Sequence, residues 1–297
     1  MKNSNNIEIK IPDKEFAIVG IVSDIHDGNI FSITHPEDNP EVIKNKNNLE
    51  KYKEYVIRSS IYNWVKAEMK NIYNKYGEPD LWSYGGDIIE GAGAKNRGLE
   101  LFEPDRDRQV EMAVRTCQSL FPCKRNRVVL GTKYHDGDME PYTRKFAEKM
   151  GATYSIWDRF HVRGLQFDQK HKVSGGGLPH TKYGGIAREE LNSRMFNVYF
   201  DIKKQANIYS RSHLHKWLYT EGAMGRNSCA FVTPCLKGIG EEYGQLNFSS
   251  PIDVGFVLII IKNQYEWHVE KHLMDIKFMV PKSQDGLNDN LYNRNVY

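Results

Sequence analysis

The sequence predicts an α/β protein in which two β-sheets are flanked by helices. Three observations predict it. Through about residue 150, apolar runs of strand length alternate with longer segments whose apolar residues recur at helical spacing. Beyond that point strand-like runs dominate, and this order calls for a second sheet. Several apolar runs also break off into Gly, Asp and His, at the strand ends where α/β proteins build their sites.

In chain order, EFAIVGIV (15–22) reads as a strand entering the loop SDIH. Residues 28–54 are polar, with Pro36, Pro40 and an Asn cluster, and read as a long insertion loop placed to overhang whatever SDIH forms. Residues 55–76 read as a helix, with Val56, Ile61, Trp64, Val65, Met69, Ile72 and Tyr73 at roughly helical spacing, closed by Glu78-Pro79-Asp80. LWSYGGD is a second strand and turn, 105–120 a helix, RVVLGT a third strand and 140–150 another helix. Within 152–171, HVRGLQFDQ alternates like an edge strand or hairpin. Residues 186–205 read as helix, ANIYSRSHLH as strand and loop, and CAFVTPCL, VGFVLIIIK and YEWHVEKHLM as later strands. The polar tail, 282–297, reads as a mobile end or a partner contact.

Length and composition fit one domain over 1–297, with a core at about 15–275. The 41 basic against 38 acidic residues leave too little net charge to argue nucleic-acid binding from bulk charge. No run of apolar residues is long enough to span a bilayer, and the N-terminal segment lacks the apolar stretch of a secretory signal, so a cytoplasmic location is expected. Cys117, Cys123, Cys229 and Cys235 form no C-x-x-C pair and read as four thiols.

The chemistry gathers at the strand ends: Asp24 and His26 in SDIH, Asp87 in GGDIIEG, His135 in GTKYH, His171 in KH, and His213 and His215 in RSHLH. Carboxylate oxygens and imidazole nitrogens suit a borderline-hard divalent cation. Taken singly, each has an ordinary structural reading, because D-x-H is common in loops and GGD often just turns the chain. The ordered set is what points to metal.

In order and in local wording the set resembles the calcineurin-like metallophosphoesterases, whose signature runs D-x-H, G-D-x-x, G-N-H-[DE], a lone His and G-H-x-H. The resemblance covers about residues 15–262. Its third and last motifs, G-T-x-Y-H and R-S-H-x-H, are similar to the form found in bacteriophages and prophages. It implies an αββα sandwich and a hydrolase in which metal-bound hydroxide attacks phosphorus. It also implies two divalent cations, manganese foremost, with iron, zinc, nickel or cobalt as alternatives. On that pattern Asp24, His26 and His215 hold the first cation, Asp87 bridges both, and His171 and His213 hold the second. Asp24 and His26, like His213 and His215, are expected to share a face because residues i and i+2 of an extended segment do.

Thr132 stands where the family has a metal-binding Asn, and two extra residues precede His135. Either the second cation is one protein ligand short, or His135 has moved in to coordinate it. In the family that His contacts phosphate and protonates the leaving group. Asp136 and Asp138 read as surface loop carboxylates. His180 in a Gly-rich loop and Arg188 are candidate phosphate contacts, against loop filler and a solvated helix face as the plainer readings. The implied substrate is a phosphoester. A phosphodiester of a nucleic acid or nucleotide, as for a nuclease, is preferred because Trp82, Tyr134, Tyr183 and Trp217 stand beside motif words. The alternatives are a phosphomonoesterase, including a protein phosphatase, and a metal-binding scaffold without turnover. GGDIIEGAG and GTKYHDGD lack the Arg residues of protein phosphatases.

Overall fold

Two sheets of six strands stand face to face, with helices on both outer sides. The structure, a computed structural model, describes residues 7–10, 14–45, 47–92, 98, 100–137, 141–173, 182–199, 205–222, 227–238 and 252–275. The elements are β1 (Ile7–Glu8), β2 (Ala17–Val22), α1 (Leu49–Tyr76), β3 (Leu81–Tyr84), α2 (Arg106–Leu120), β4 (Asn126–Val129), α3 (Lys133–Asp136), α4 (Tyr142–Met150), β5 (Thr153–Ser155), β6 (Asp158–Val162), β7 (Leu165–Gln169), α5 (Lys182–Tyr199), β8 (Ile208–Arg211), β9 (Leu218–Glu221), β10 (Cys229–Val232), β11 (Gly255–Ile261) and β12 (Trp267–Leu273).

The first sheet has the order β12-β11-β2-β3-β4-β5, parallel from β2 to β5 and antiparallel at β11. The second has the order β1-β6-β7-β8-β10-β9 and is also mixed. Strand pleating sends alternate side chains to opposite faces. On β2, Ala17, Val19 and Ile21 meet the second sheet through Phe160, Phe167, Ile208 and Phe231. Ile18 and Val22 face the other way, into a core shared with Ile61, Val65 and Met69 of α1, Val110 and Cys117 of α2, and Phe146 of α4. β11 is split in the same manner, which is why GFVLIII shows no polar face: both faces are covered. α5 covers the far side of the second sheet, with Ile186 against Tyr209, Leu218, Ala230 and Val232. The layers are therefore αββα.

Several local expectations change. α1 begins at Leu49, six residues ahead of the periodic signal. Most of residues 28–34 is buried rather than overhanging: the Ile33 amide donates to the Leu236 carbonyl at 2.8 Å, and Arg58 of α1 donates to the Ile30 carbonyl at 2.7 Å and to Asn39 Oδ1 at 2.9 Å. Polar composition marked a loop, but these backbone groups find partners inside the protein. β6 and β7 form the hairpin expected of HVRGLQFDQ, turning at Arg163 and Gly164, and β7 lies inside its sheet rather than at an edge. Its polar alternation faces a buried ion network, where Asp168 accepts from Arg211 Nη2 and Ser193 Oγ, both at 2.9 Å. α5 starts earlier than expected, at Lys182. Asp136, expected on the surface, is buried and accepts from the Thr143 amide at 2.6 Å at the start of α4. β1 and β9 carry no strand signal that the sequence reading used. The four cysteines are free thiols. Among the described residues, no helix is long and apolar enough to cross a membrane.

Candidate metal centre

Five strands of both sheets end at one place. β2 leads to Asp24 and His26, β3 to Asp87, β4 to Thr132 and His135, β7 to His171, and β8 to His213 and His215. Backbone hydrogen bonds zip the first two loops together. The amides of Asp24, His26 and Asp27 donate to the carbonyls of Gly86, Asp87 and Ile88 at 3.0–3.1 Å. The loops after β7 and β8 are joined by the Ser212 amide donating to the His171 carbonyl at 2.8 Å. Between the sheets, Ser83 of β3 hydrogen-bonds Gln169 of β7.

The conformation of these loops is unusual. Among the described residues, six non-glycine residues have positive φ, and five of them are Asp24, His26, Asp87, His213 and His215. Each such conformation costs on the order of 1 kcal/mol or more and persists only where the surroundings enforce it. In both D-x-H and H-x-H, every second residue is left-handed. The shared facing of Asp24 with His26, and of His213 with His215, therefore comes from this alternation and not from an extended strand. Two glycines make room: a Cβ on Gly131 would lie 2.3 Å from Asp87 Oδ1, and one on Gly86 would lie 2.7 Å from His171 Nδ1.

Three overlapping groups form, in each of which the potential ligand atoms lie within 4.8 Å of one another: Asp24 with His26 and His215, Asp87 with His171 and His213, and His26 with Asp87 and His135. His215 Nε2 is 3.3 Å from Asp24 Oδ1 and 3.1 Å from His26 Nε2. His171 Nε2 is 2.9 Å from Asp87 Oδ2, while His213 Nδ1 and His135 Nε2 approach that oxygen at 3.9 Å. Atoms bonded to one cation at ~2.1 Å stand roughly 3.0–3.4 Å apart, so the spacing of His215 to Asp24 and His26 and of His171 to Asp87 suits shared coordination, while His213 and His135 stand wider at 3.9 Å. Hydrogen bonding points the same way. Asp24 Oδ1 and His171 Nε2 are buried without a hydrogen-bond partner among the described residues, although each has charged neighbours within 4 Å. The two atoms stand 3.9 Å apart.

The outer atoms of the same residues are tied down. Asp24 Oδ2 accepts from the His213 amide at 3.1 Å. Asp87 Oδ1 accepts from the Thr132 amide at 2.5 Å and from its hydroxyl at 3.0 Å. His171 Nδ1 lies 2.7 Å from the Gly85 carbonyl and His135 Nδ1 2.6 Å from the Glu90 carbonyl. A carbonyl only accepts, so each Nδ1 carries the proton and each Nε2 is turned to the site. His26 Nδ1 lies 3.1 Å from Glu90 Oε2. Glu90 thus touches two site imidazoles, one through its side chain and one through its main chain.

Burial opposes charge on Asp24 and Asp87, but the imidazoles of His215 and His171 override it and hold both carboxyls below the usual range. Burial also opposes charge on His171, yet Asp87 and Asp24 lift it to about 9. Burial acts likewise on His215, where Cys235 and Asp24 lift it to about 10. Burial and the nearby His135 push His26 down to about 4. Glu90 is held at about 2 against the effect of burial, by Lys237 and then His26. Protons on His171 and His215 thus neutralise the carboxylates where cations would otherwise do so. The donor set, its convergence and its buried carboxylates fit divalent metal.

Every residue expected to bind metal lies in this cluster, together with His135 and Thr132. Arg188 lies exposed on α5, with its Nε donating to the Gly184 carbonyl of its own helix at 3.1 Å. His180 and Asp138 fall outside the described residues. Sequence reasoning missed Glu90 and the burial of Asp136. The position of Glu90, three residues after Asp87 in GGDIIEG, was the available signal.

No protein-family model matches this chain, and no curated protein sequence does. Solved structures with similar backbones include a metallophosphoesterase from Sphaerobacter thermophilus, at 13% identity and a TM-score of 0.37, covering 87% of this chain and 88% of that one. Another is a sulfate thiohydrolase from Thermus thermophilus, at 10% identity and a TM-score of 0.38, covering 91% of this chain and 60% of that one. A protein of unknown function from Aquifex aeolicus has 16% identity and a TM-score of 0.33, covering 67% of this chain and 80% of that one. At these scores the likenesses carry no functional argument, which the site geometry must supply.

Proposed function

We propose that this chain is a metal-dependent phosphoester hydrolase with two neighbouring cation sites, acting on phosphodiesters of nucleotide type. The observation that supports it most is that Asp87 belongs to two of the three ligand groups, while His26 links the remaining one to them. Asp24, His26 and His215 would hold one cation, His171 and His213 the other, with Asp87 between them. Two divalent cations there would offset the negative charge of a phosphoester and supply a nucleophile from water near neutral pH.

The chain's own residues do the rest. Asp24 and Asp87 are locked by backbone amides, so the ligand set needs little rearrangement. Glu90 fixes the ring of His26 through its side chain and that of His135 through its carbonyl. His135 is the proton donor. With Nδ1 anchored to the Glu90 carbonyl, its Nε2 faces the Asp87 carboxylate, and a proton carried there passes to the departing ester oxygen. The neutral ring left behind keeps its Nδ1 proton.

The test is hydrolysis of bis(p-nitrophenyl) phosphate beside p-nitrophenyl phosphate with added Mn²⁺, using the wild type and Asp87→Asn. Diester turnover should fall by about a hundredfold or more in the variant. Turnover of the monoester alone would make the protein a phosphatase. Turnover that survives Asp87→Asn would overturn the assignment.

A further inference from the structure

A recess of about 420 Å³ opens beside His171. Leu130 and Gly131 at the exit of β4 form one wall, Ile156 and Trp157 from the β5–β6 turn another, and Lys170 and Lys172 flank His171 at the exit of β7. Its size falls in the range of small-ligand sites. His171 belongs both to this recess and to the cluster around Asp87, so the recess adjoins the cluster. A phosphoryl group held at Asp87 has this recess available for its ester substituent.

The walls define what that substituent is. They are mostly apolar, and Ile156 remains 70% exposed at the rim. The Trp157 ring is held in place by cations, with Lys170 Nζ 4.0 Å and Arg159 Cζ 5.5 Å from its centroid. A fixed indole beside branched aliphatic side chains suits a flat group with apolar faces. With Lys170 on the indole, Lys172 at the rim suits carbonyl oxygens on the edge of such a group or the phosphate next to it. A sugar alone has no flat face to offer, and a basic peptide would meet like charge at the lysines. We propose that this recess is the subsite for the nucleobase of a nucleotidyl phosphoester, an inference that rests on the phosphoester reading of the Asp87 cluster.

The test compares two non-hydrolysable ligands that differ only by the base: the phosphonate analogues of uridine 5′-monophosphate and of ribose 5-phosphate. Each is titrated calorimetrically into the full chain with Mn²⁺. The uridine compound should bind about tenfold more tightly in the wild type, the scale of one base against one aromatic ring. Trp157→Ala should abolish that preference with the ribose compound unaffected, and Trp157→Phe should restore most of it. Ile156→Ser, at an exposed position that tolerates substitution, should reduce it as well. Equal affinity for the two ligands in the wild type, or a preference that survives both Trp157→Ala and Ile156→Ser, would overturn the subsite. Failure of the hydrolase reading would appear elsewhere, as diester turnover that is absent or indifferent to Asp87.

Discussion

The two halves of the metal cluster are built to different standards. Asp24, His26 and His215 are all buried, and Glu90 backs the ring of His26. On the other side, the His213 side chain is 42% exposed. There Thr132 spends its hydroxyl on Asp87, at 3.0 Å from Oδ1 and 3.2 Å from Oδ2. A buried, backed ligand set loses little order when a cation enters, whereas an exposed imidazole must be immobilised first. If two cations bind as proposed, the difference makes the first site tight and the second weaker and exchangeable.

His135 lies where the halves meet, and removing it should have the largest effect. His135→Ala should reduce turnover of diesters with poor leaving groups by about 10²–10⁴. Activated p-nitrophenyl esters should suffer much less, because their leaving group needs no proton. Metal content by elemental analysis should not change. Loss of one equivalent would instead make His135 a ligand and even out the two halves.

Glu90→Gln removes the backing of the buried half alone. It should weaken the first cation by about 10–100-fold, the usual scale for a partner of a metal-bound imidazole, and leave the second untouched. An equal effect on both would mean that Glu90 acts through the Asp87 loop rather than through His26.

Acid should weaken both halves. His171 and His215 titrate at about 9 and about 10 without metal, so at neutral pH each holds a proton that a cation must displace. Affinity should rise with pH from neutral towards those values, by up to about tenfold per unit for each proton released. Below neutral it should fall further. Calorimetry in buffers of different ionisation enthalpy counts the protons, and binding without proton release would contradict the assignment of His171 and His215 as ligands.

Much of this architecture was legible in the sequence because strands buried on both faces leave uninterrupted apolar runs, as in GFVLIII, and because the chain turns sharply where each run ends. The position of Asp24, His26, Asp87, His171, His213 and His215 in one cluster was legible too, since each follows a run that ends on the same side. Other features depend on partners far away in sequence. The burial of residues 28–34 rests on bonds to Arg58 and Leu236. The polar face of β7 is hidden by Arg211. Asp136 reads as a surface residue until α4 packs its first turn against it. The left-handed backbone of five site residues leaves little trace in composition, because Asp and His, though enriched among non-glycine residues with positive φ, adopt it only where surrounding contacts enforce it.

The most direct measurement is a calorimetric Mn²⁺ titration of the wild type beside His213→Ala. Two equivalents of unequal affinity are expected in the wild type, with loss of only the weaker one in the variant. A single equivalent, two equal ones, or loss of the tighter site on removing His213 would contradict the two-site assignment.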